Sequence, residues 1–320
     1  MSRPVVAVLG ARWPDLSIEE EVLQPLGPTI RENDGIDADA IRKTISDADV
    51  VLVGPAPRLD GEALAVFSGR GVVRYGTGVD NVDLDAANRG GVWVVVVPDY
   101  GTEAVAIHTL SLVLACLRRL RLADHLVRDG RWDLDSLRPL HTPTSLSAGV
   151  VGFGSIGRRV TQLLLAVGFG RLLVTPGRAQ AGEIEDVEVA SLGELLGACD
   201  VVTLHASASV GGEPILDRAA LQLMRDGSML VNTARGSLVD TRSLVEGLIA
   251  GRPAIAALDV TDPEPPDLTV FGAVEDRIIF TPHMAWYTEE SEIELRRSAA
   301  SEAFRLLSGL EPLNPVVRPG

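Results

Sequence analysis

The feature that most constrains this chain is Val150-Val151-Gly152-Phe153-Gly154-Ser155-Ile156-Gly157, which sits mid-chain and not at the start. A short apolar run enters a G-x-G-x-x-G turn, and a helix-like stretch, Arg158 to Val167, leaves it. Glycines there allow a tight strand-to-helix turn and let backbone N–H groups approach a pyrophosphate. The helix N-terminus adds partial positive charge at the same place. With 32 glycines in 320 residues the motif alone says little. Its setting, strand before and helix after, makes it a dinucleotide site. Roughly 140 residues precede it, enough for another domain.

Composition narrows the class. A hydrophobic fraction of 46% and a charged fraction of 23% fit a soluble globular protein of two domains. The net charge of −15 argues against a nucleic-acid surface, which needs concentrated Lys and Arg. The two cysteines, Cys116 and Cys199, stand in apolar or helical contexts without metal-ligand spacing. Both read as buried thiols in a reducing compartment, and no metal is expected. The opening Met1 to Gly10 is a short strand pattern, unlike a signal peptide. The longest apolar stretch, Thr109 to Cys116, is too short to span a bilayer. A cytoplasmic protein with no membrane contact is expected.

Strand-like runs alternate with helix-like segments throughout, the pattern of an α/β protein with parallel sheets. Early strands are expected at Val5–Leu9, Val50–Val53, Val72–Tyr75 and Val92–Val97, and helices at Ile18–Leu26, Asp39–Ser46, Gly61–Phe67 and Leu84–Arg89. Thr102 looks like the N-cap of a long helix from Glu103 to about Arg121, crossing from the first domain to the second. Later strands are expected at Gly149–Val151, Leu172–Val174, Val201–Leu204, Met229–Val231, Ala254–Leu258 and Ile278–Phe280. A polar or special residue follows nearly every one: Gly152, Thr175, His205, Asn232 with Arg235, Asp259, and Thr281-Pro282-His283. Ligands of open α/β sheets bind beyond the carboxyl ends of the strands, so sequence order alone gathers these side chains around one cleft. A last helix, about Thr288 to Leu307, is expected to return the chain to the first domain.

Taken singly, Arg235, Glu264 and His283 have ordinary explanations: a salt-bridged surface group, a loop residue beside prolines, a structural histidine. Together, beyond a dinucleotide motif, they suit one reaction. Reducing a 2-keto acid needs a proton donor for the carbonyl oxygen and a cation for the carboxylate. Histidine donates near neutral pH, and a neighbouring carboxylate stabilises the imidazolium. Arginine recognises carboxylates in a planar, bidentate way. The nicotinamide supplies the hydride.

Five blocks in order resemble the D-isomer-specific 2-hydroxyacid dehydrogenase family over essentially the whole chain. They are Arg74 to Asp83 (RYGTGVDNVD), the glycine motif, Asn232 to Gly236 (NTARG), Leu258 to Val260 with Glu264-Pro265, and Thr281-Pro282-His283. The resemblance implies a flavodoxin-like substrate domain from both chain ends (1–99 plus 287–320) and a dinucleotide-binding domain (100–286), each a Rossmann-like doubly wound sheet. It implies catalytic roles for Arg235, Glu264 and His283, and a nicotinamide contact for Asp259. It implies that backbone N–H groups of Gly76, Thr77, Gly78 and Val79 bind the substrate carboxylate, and that the protein is a homodimer. With the glycine motif and the resemblance together, the cofactor contacts expected are Thr109, Gly152, Gly154, Ser155, Ile156, Gly157, His205, Ala206, Thr233, Ala234 and Asp259, with Thr175 and Arg178 where the chain departs from the family.

Within the family, His283 to Tyr287 and Pro98 to Glu103 look most like the branch of C-terminal-binding-protein corepressors and phosphoglycerate-dehydrogenase-like relatives. That branch implies substrate contacts for Trp286 and Arg74; the plain alternatives are a packing aromatic and a domain-interface salt bridge.

Departures matter. NAD-preferring members carry an Asp where this chain has Thr175, and Arg178 follows nearby. That leaves NAD(H) or NADP(H) open, with a lean to tolerance of NADP(H). Ala206-Ser207-Ala208-Ser209 lacks the family's usual Pro. The family's acidic residue after Val105-Ala106 is Ile107 here, and the adjacent His108 is expected to pack on the long helix, outside catalysis. Glu264 argues against the formate branch, and Thr77 against the phosphite branch. The leading expectation is an NAD(P)-dependent reductase of a small 2-keto acid, or its reverse dehydrogenase. The rival is a dinucleotide-sensing, corepressor-like scaffold with weak catalysis.

Overall fold

The computed structural model describes residues 3–176, 186–208 and 212–319. The chain divides into two compact units: Met1–Gly101 with Thr288–Gly320, and Thr102–Tyr287. Sequence reading sets these boundaries at 99/100 and 286/287.

The first unit begins β1 (Val5–Leu9), α1 (Ser17–Leu23), β2 (Thr29–Asn33), α2 (Ala38–Ile45), β3 (Val50–Val53), α3 (Gly61–Val66), β4 (Gly71–Arg74), α4 (Leu84–Arg89) and β5 (Trp93–Val95). Strands β2, β1, β3, β4 and β5 lie side by side in that order, all parallel. That is the flavodoxin-like order 2-1-3-4-5. The final strand, Pro315–Val317, adds antiparallel to β5 at the far edge. Central β3 is apolar at every position and fully buried, as a parallel strand covered on both faces must be. Sequence reading passes over β2, Thr-Ile-Arg-Glu-Asn, because a half-solvated edge strand needs no apolar run. Asp37, Asp60 and Asp83 cap α2, α3 and α4 by accepting a backbone N–H three residues on.

The second unit contains α5 (Thr102–Leu117), α6 (Leu120–Arg128), β6 (Ser147–Val151), α7 (Ser155–Val167), β7 (Arg171–Val174), β8 (Val187–Val189), α8 (Leu192–Ala198), β9 (Val201–Leu204), α9 (Arg218–Leu223), β10 (Met229–Asn232), α10 (Thr241–Ala250), β11 (Ile255–Leu258) and β12 (Ile278–Phe280). Its seven strands are parallel and ordered β12-β11-β10-β9-β6-β7-β8. The order reverses between β6 and β9, the switch point where a doubly wound sheet opens a crevice. Two expectations need correction. Thr102 is the first helical residue of α5 and not its N-cap. The long helix does not run to Arg121: it stops at Leu117, because Arg119 turns left-handed (φ 47°) before α6 begins. Both cysteines are buried, and burial pushes each thiol up to about 12.

Thr288 caps the C-terminal helix, Glu289–Leu307, which belongs to the first unit. No helix among the described residues is long and apolar enough to cross a membrane.

Candidate active site

Two of the three motif glycines are required by the close approach of backbone. Gly152 has φ +96°, and a Cβ there would lie 2.6–2.7 Å from the backbone of His205 and Ala206 at the end of β9. A Cβ on Gly157 would lie 2.0 Å from the Gly152 carbonyl oxygen, so the first turn of α7 packs directly on the strand end. Gly154, by contrast, has nothing within 4 Å of such an atom. It is also the N-cap of α7 and supplies no side-chain cap, unlike Ser191, Asp217 and Asp240 on α8, α9 and α10. The first N–H groups of α7, including Ser155 and Ile156, are therefore not met by a side-chain cap, a setting that suits a pyrophosphate.

Two further features fit a dinucleotide. His205 Nε2 is buried without a hydrogen-bond partner among the described residues, and burial pushes its imidazole down to about 3, so the ring is neutral at working pH. Thr175 Oγ1 accepts the Gly152 N–H at 2.8 Å, so its side chain braces the glycine turn. Arg178 lies outside the described residues. Among the described residues no group of His, Cys, Asp or Glu is arranged to hold a metal ion.

Arg235, Glu264 and His283 lie beyond the neighbouring strand ends. Beyond β10, Asn232 Nδ2 donates to the Arg235 carbonyl at 2.8 Å, and Asn232 Oδ1 accepts the Ala234 N–H at 3.0 Å. Buried Thr109 on α5 gives its proton to the Val105 carbonyl, so its oxygen accepts from the Thr233 hydroxyl 2.8 Å away. A Cβ on Gly236 would sit 2.0 Å from the Thr261 carbonyl carbon, so the β10 loop is pressed on the loop that carries Glu264. His283 Nδ1 lies 2.7 Å from Glu264 Oε2. Partial burial raises the Glu264 carboxyl, but the hydrogen bond and charge of His283, the Thr261 N–H and the charge of Arg235 together hold it below the usual carboxylate range. Glu264 thus lies within the electrostatic reach of both His283 and Arg235.

His283 is held in an uncommon conformation, φ +52°. Its N–H donates to the Asp259 carbonyl at 2.8 Å. The Asp259 side chain, 2% exposed, accepts from the N–H groups of Met284 (2.9 Å) and Ala285 (3.0 Å) and from Thr281 Oγ1 (2.5 Å). Asp259 therefore pins the loop carrying His283 and Trp286. The Trp286 ring meets Tyr287 edge-on at 5.7 Å.

His108, expected to pack on the long helix outside catalysis, lies on α5 and makes polar contacts there: Nε2 lies 3.1 Å from Thr281 Oγ1 and 3.6 Å from Asp259 Oδ1. Its place on the helix face toward Asp259 is the only signal, and that needs the fold.

In the first unit, Arg74 Nε donates to Asn81 Oδ1 at 3.2 Å and Nη1 to the Tyr75 carbonyl. Asn81 Nδ2 donates to the carbonyls of Gly54 (2.9 Å) and Pro57 (2.6 Å), tying the loops after β3 and β4 together. Arg74 Nη1 and the Tyr100 hydroxyl each lie 3.4 Å from where a Gly76 Cβ would be. Tyr100 is thus a neighbour of the Gly76–Val79 loop that sequence reading does not select. Thr77 is exposed, and Gly78 and Val79 are half-buried.

Residues 110–285 match the model of the D-isomer specific 2-hydroxyacid dehydrogenase NAD-binding domain. The chain belongs to this family. Among its relatives, a D-3-phosphoglycerate dehydrogenase of Mycobacterium tuberculosis is 32% identical over 315 residues, covering 97% of this chain and 58% of that protein. The chain thus spans well under two thirds of the length of the phosphoglycerate dehydrogenases it matches. A glyoxylate reductase of Aeropyrum pernix is 34% identical over 298 residues, 88% of this chain and 84% of that one. Among solved structures, the TT0316 protein of Thermus thermophilus superposes with a TM-score of 0.86 at 32% identity, over 98% of this chain and 100% of that one. A D-lactate dehydrogenase of Aquifex aeolicus, complexed with NAD and lactic acid, gives 0.89 at 26% identity with the same coverage. The match places the 2-hydroxyacid dehydrogenase NAD-binding domain on the unit that holds the glycine motif, Arg235, Glu264 and His283.

Proposed function

We propose that this protein interconverts a small 2-keto acid and the corresponding 2-hydroxy acid with a nicotinamide cofactor. The observation that carries the reading is the 2.7 Å contact of His283 with Glu264 within the electrostatic reach of Arg235, on the sheet that bears the glycine motif. When bound, the nicotinamide supplies or accepts the hydride. The chain's own residues do the rest. Glu264 holds the His283 ring through Nδ1, which leaves Nε2 to give a proton to the carbonyl oxygen in reduction and to take it back in oxidation. Arg235 pairs with the substrate carboxylate and with charge developing on the reacting oxygen. The N–H groups of Gly76, Thr77, Gly78 and Val79 are assigned to the carboxylate, with Arg74 beside them. Trp286 is assigned to the substrate side chain. The uncapped start of α7 holds the pyrophosphate.

The reading extends to the cofactor. Thr175 brings no negative charge against a 2′-phosphate, and its oxygen is engaged by Gly152, so NADPH is accepted alongside NADH. A homodimer is part of the same reading.

The test is turnover of glyoxylate, pyruvate and hydroxypyruvate with NADH and NADPH in parallel, for wild type and Thr175→Asp. Turnover of at least one keto acid is expected, with Thr175→Asp losing NADPH selectively. No turnover of any keto acid, combined with tight dinucleotide binding, would instead identify a dinucleotide-sensing scaffold.

A further inference from the structure

Thr281 has one hydroxyl proton, and the 2.5 Å contact commits it to Asp259 Oδ1. The 3.1 Å contact with His108 Nε2 must then run the other way: Nε2 carries a proton and donates it to Thr281 Oγ1. His108, on α5 with its side chain 18% exposed, therefore heads a directed chain from Nε2–H through the Thr281 hydroxyl to the Asp259 carboxylate. That carboxylate in turn receives Met284 N–H and Ala285 N–H, and the Asp259 carbonyl receives His283 N–H. Three consecutive backbone donors of the loop thus end on one residue, whose carboxylate also meets Thr281 and His108. The loop needs such a clamp, because His283 sits at φ +52°, a conformation a non-glycine residue leaves unless its surroundings hold it.

We propose that His108 is a positioning residue for His283: by donating Nε2–H to Thr281 Oγ1 it holds the Thr281 hydroxyl in place against Asp259 and so the placement of the loop His283–Ala285. This rests on the reading of His283 as the proton donor. The two histidines divide the work. His283 meets its acid directly, at 2.7 Å from Glu264. His108 meets its acid mainly through a hydroxyl, with 3.6 Å separating it from Asp259. The first arrangement suits a group that exchanges protons with a ligand, the second a group that orients.

The experiment uses the whole chain and the variants His108→Leu, His108→Gln and Thr281→Val. Leucine fills the space without a donor, whereas the glutamine amide offers an N–H at similar reach. With glyoxylate and NADH as probes, kcat of His108→Leu should fall roughly tenfold to a hundredfold, as expected when a reacting group is displaced. The dissociation constant for NADH should move less. His108→Gln should recover most of the loss, and His108→Leu combined with Thr281→Val should be no worse than Thr281→Val alone. A second readout needs no turnover. The chain has five histidines, so the ring signals of ¹⁵N-histidine-labelled protein can be assigned one by one. In His108→Leu the His283 signal should move while those of exposed His125 and His141 stay in place.

A wild-type kcat and an unmoved His283 signal in His108→Leu would overturn the proposal. So would equal losses of thermal stability in the leucine and glutamine variants with His283 unmoved, which would mark His108 as a packing group. If wild type itself turned over no keto acid, the proposed function would fail, and the histidine signals would still decide whether His108 positions His283.

Discussion

In the first unit Glu19 and Arg296 are sealed from solvent, 0% and 5% exposed, whereas the side chains of Glu264 and His283 in the second are 41% and 44% exposed. The sealed pair is over-determined. Arg296 Nη2 donates to Glu19 Oε2 at 2.7 Å and to the Asp15 carbonyl, also at 2.7 Å. Tyr75 donates to Glu19 at 3.0 Å, and the guanidinium lies 5.1 Å from the centre of the Trp13 ring. Burial, followed by the Glu19 charge, pushes the Tyr75 phenol well above its ordinary value, so it stays a donor. The open pair has few partners and a face toward solvent. Two acid–base contacts of similar length therefore do different jobs. Burial with several partners fastens α1 to the C-terminal helix, and exposure leaves the second pair open to a ligand, as the proposed function requires.

Removing each member in turn separates stability from turnover. His283→Asn should lower turnover roughly 10²- to 10⁴-fold while leaving the unfolding midpoint and dinucleotide binding close to wild type. Full activity in that variant would remove His283 from the chemistry. Arg296→Met should do the reverse. An unpaired buried carboxylate costs about 3–5 kcal/mol, which should lower the midpoint of thermal unfolding by on the order of 10 °C. Its kcat/KM at 25 °C should persist in the folded fraction. A double variant, Glu19→Leu with Arg296→Met, should recover part of the loss; if it were worse than the single variant, the pair would be more than an ion pair.

The smallest effect sharpens the comparison most. Glu264 is held below the usual carboxylate range, so its support of His283 is present above that range and fades only as pH falls through the lowered value. Wild-type activity in reduction should persist at acid pH below the ordinary titration of a glutamate. Glu264→Gln removes the negative charge that favours the protonated donor, so the alkaline limb of the pH–rate profile should move to lower pH. An unmoved alkaline limb would mean that the 2.7 Å contact does not matter to the reacting form.

What the sequence made legible follows from range. The strands Val5–Leu9, Val50–Val53, Val201–Leu204 and Ile278–Phe280 and the helix Leu84–Arg89 could be read because apolar runs and caps are local signals. Arg235, Glu264 and His283 could be singled out because each stands just past a strand in a doubly wound order, and that order alone gathers them. Glu19 gave no signal, since its burial depends on an arginine 277 residues away. The polar contacts of His108 were not legible for the same reason: Thr281 is 173 residues distant. The break at Arg119 was lost because an arginine turning left-handed carries no sequence mark, as a glycine would.

The near-contact of Gly236 with the Thr261 backbone has a consequence for anyone reshaping this protein. The stretch that presents Arg235 and the stretch that presents Glu264 share a wall with no side chain to trim, so neither can be lengthened or shifted alone. Loop grafts should move them as one cassette.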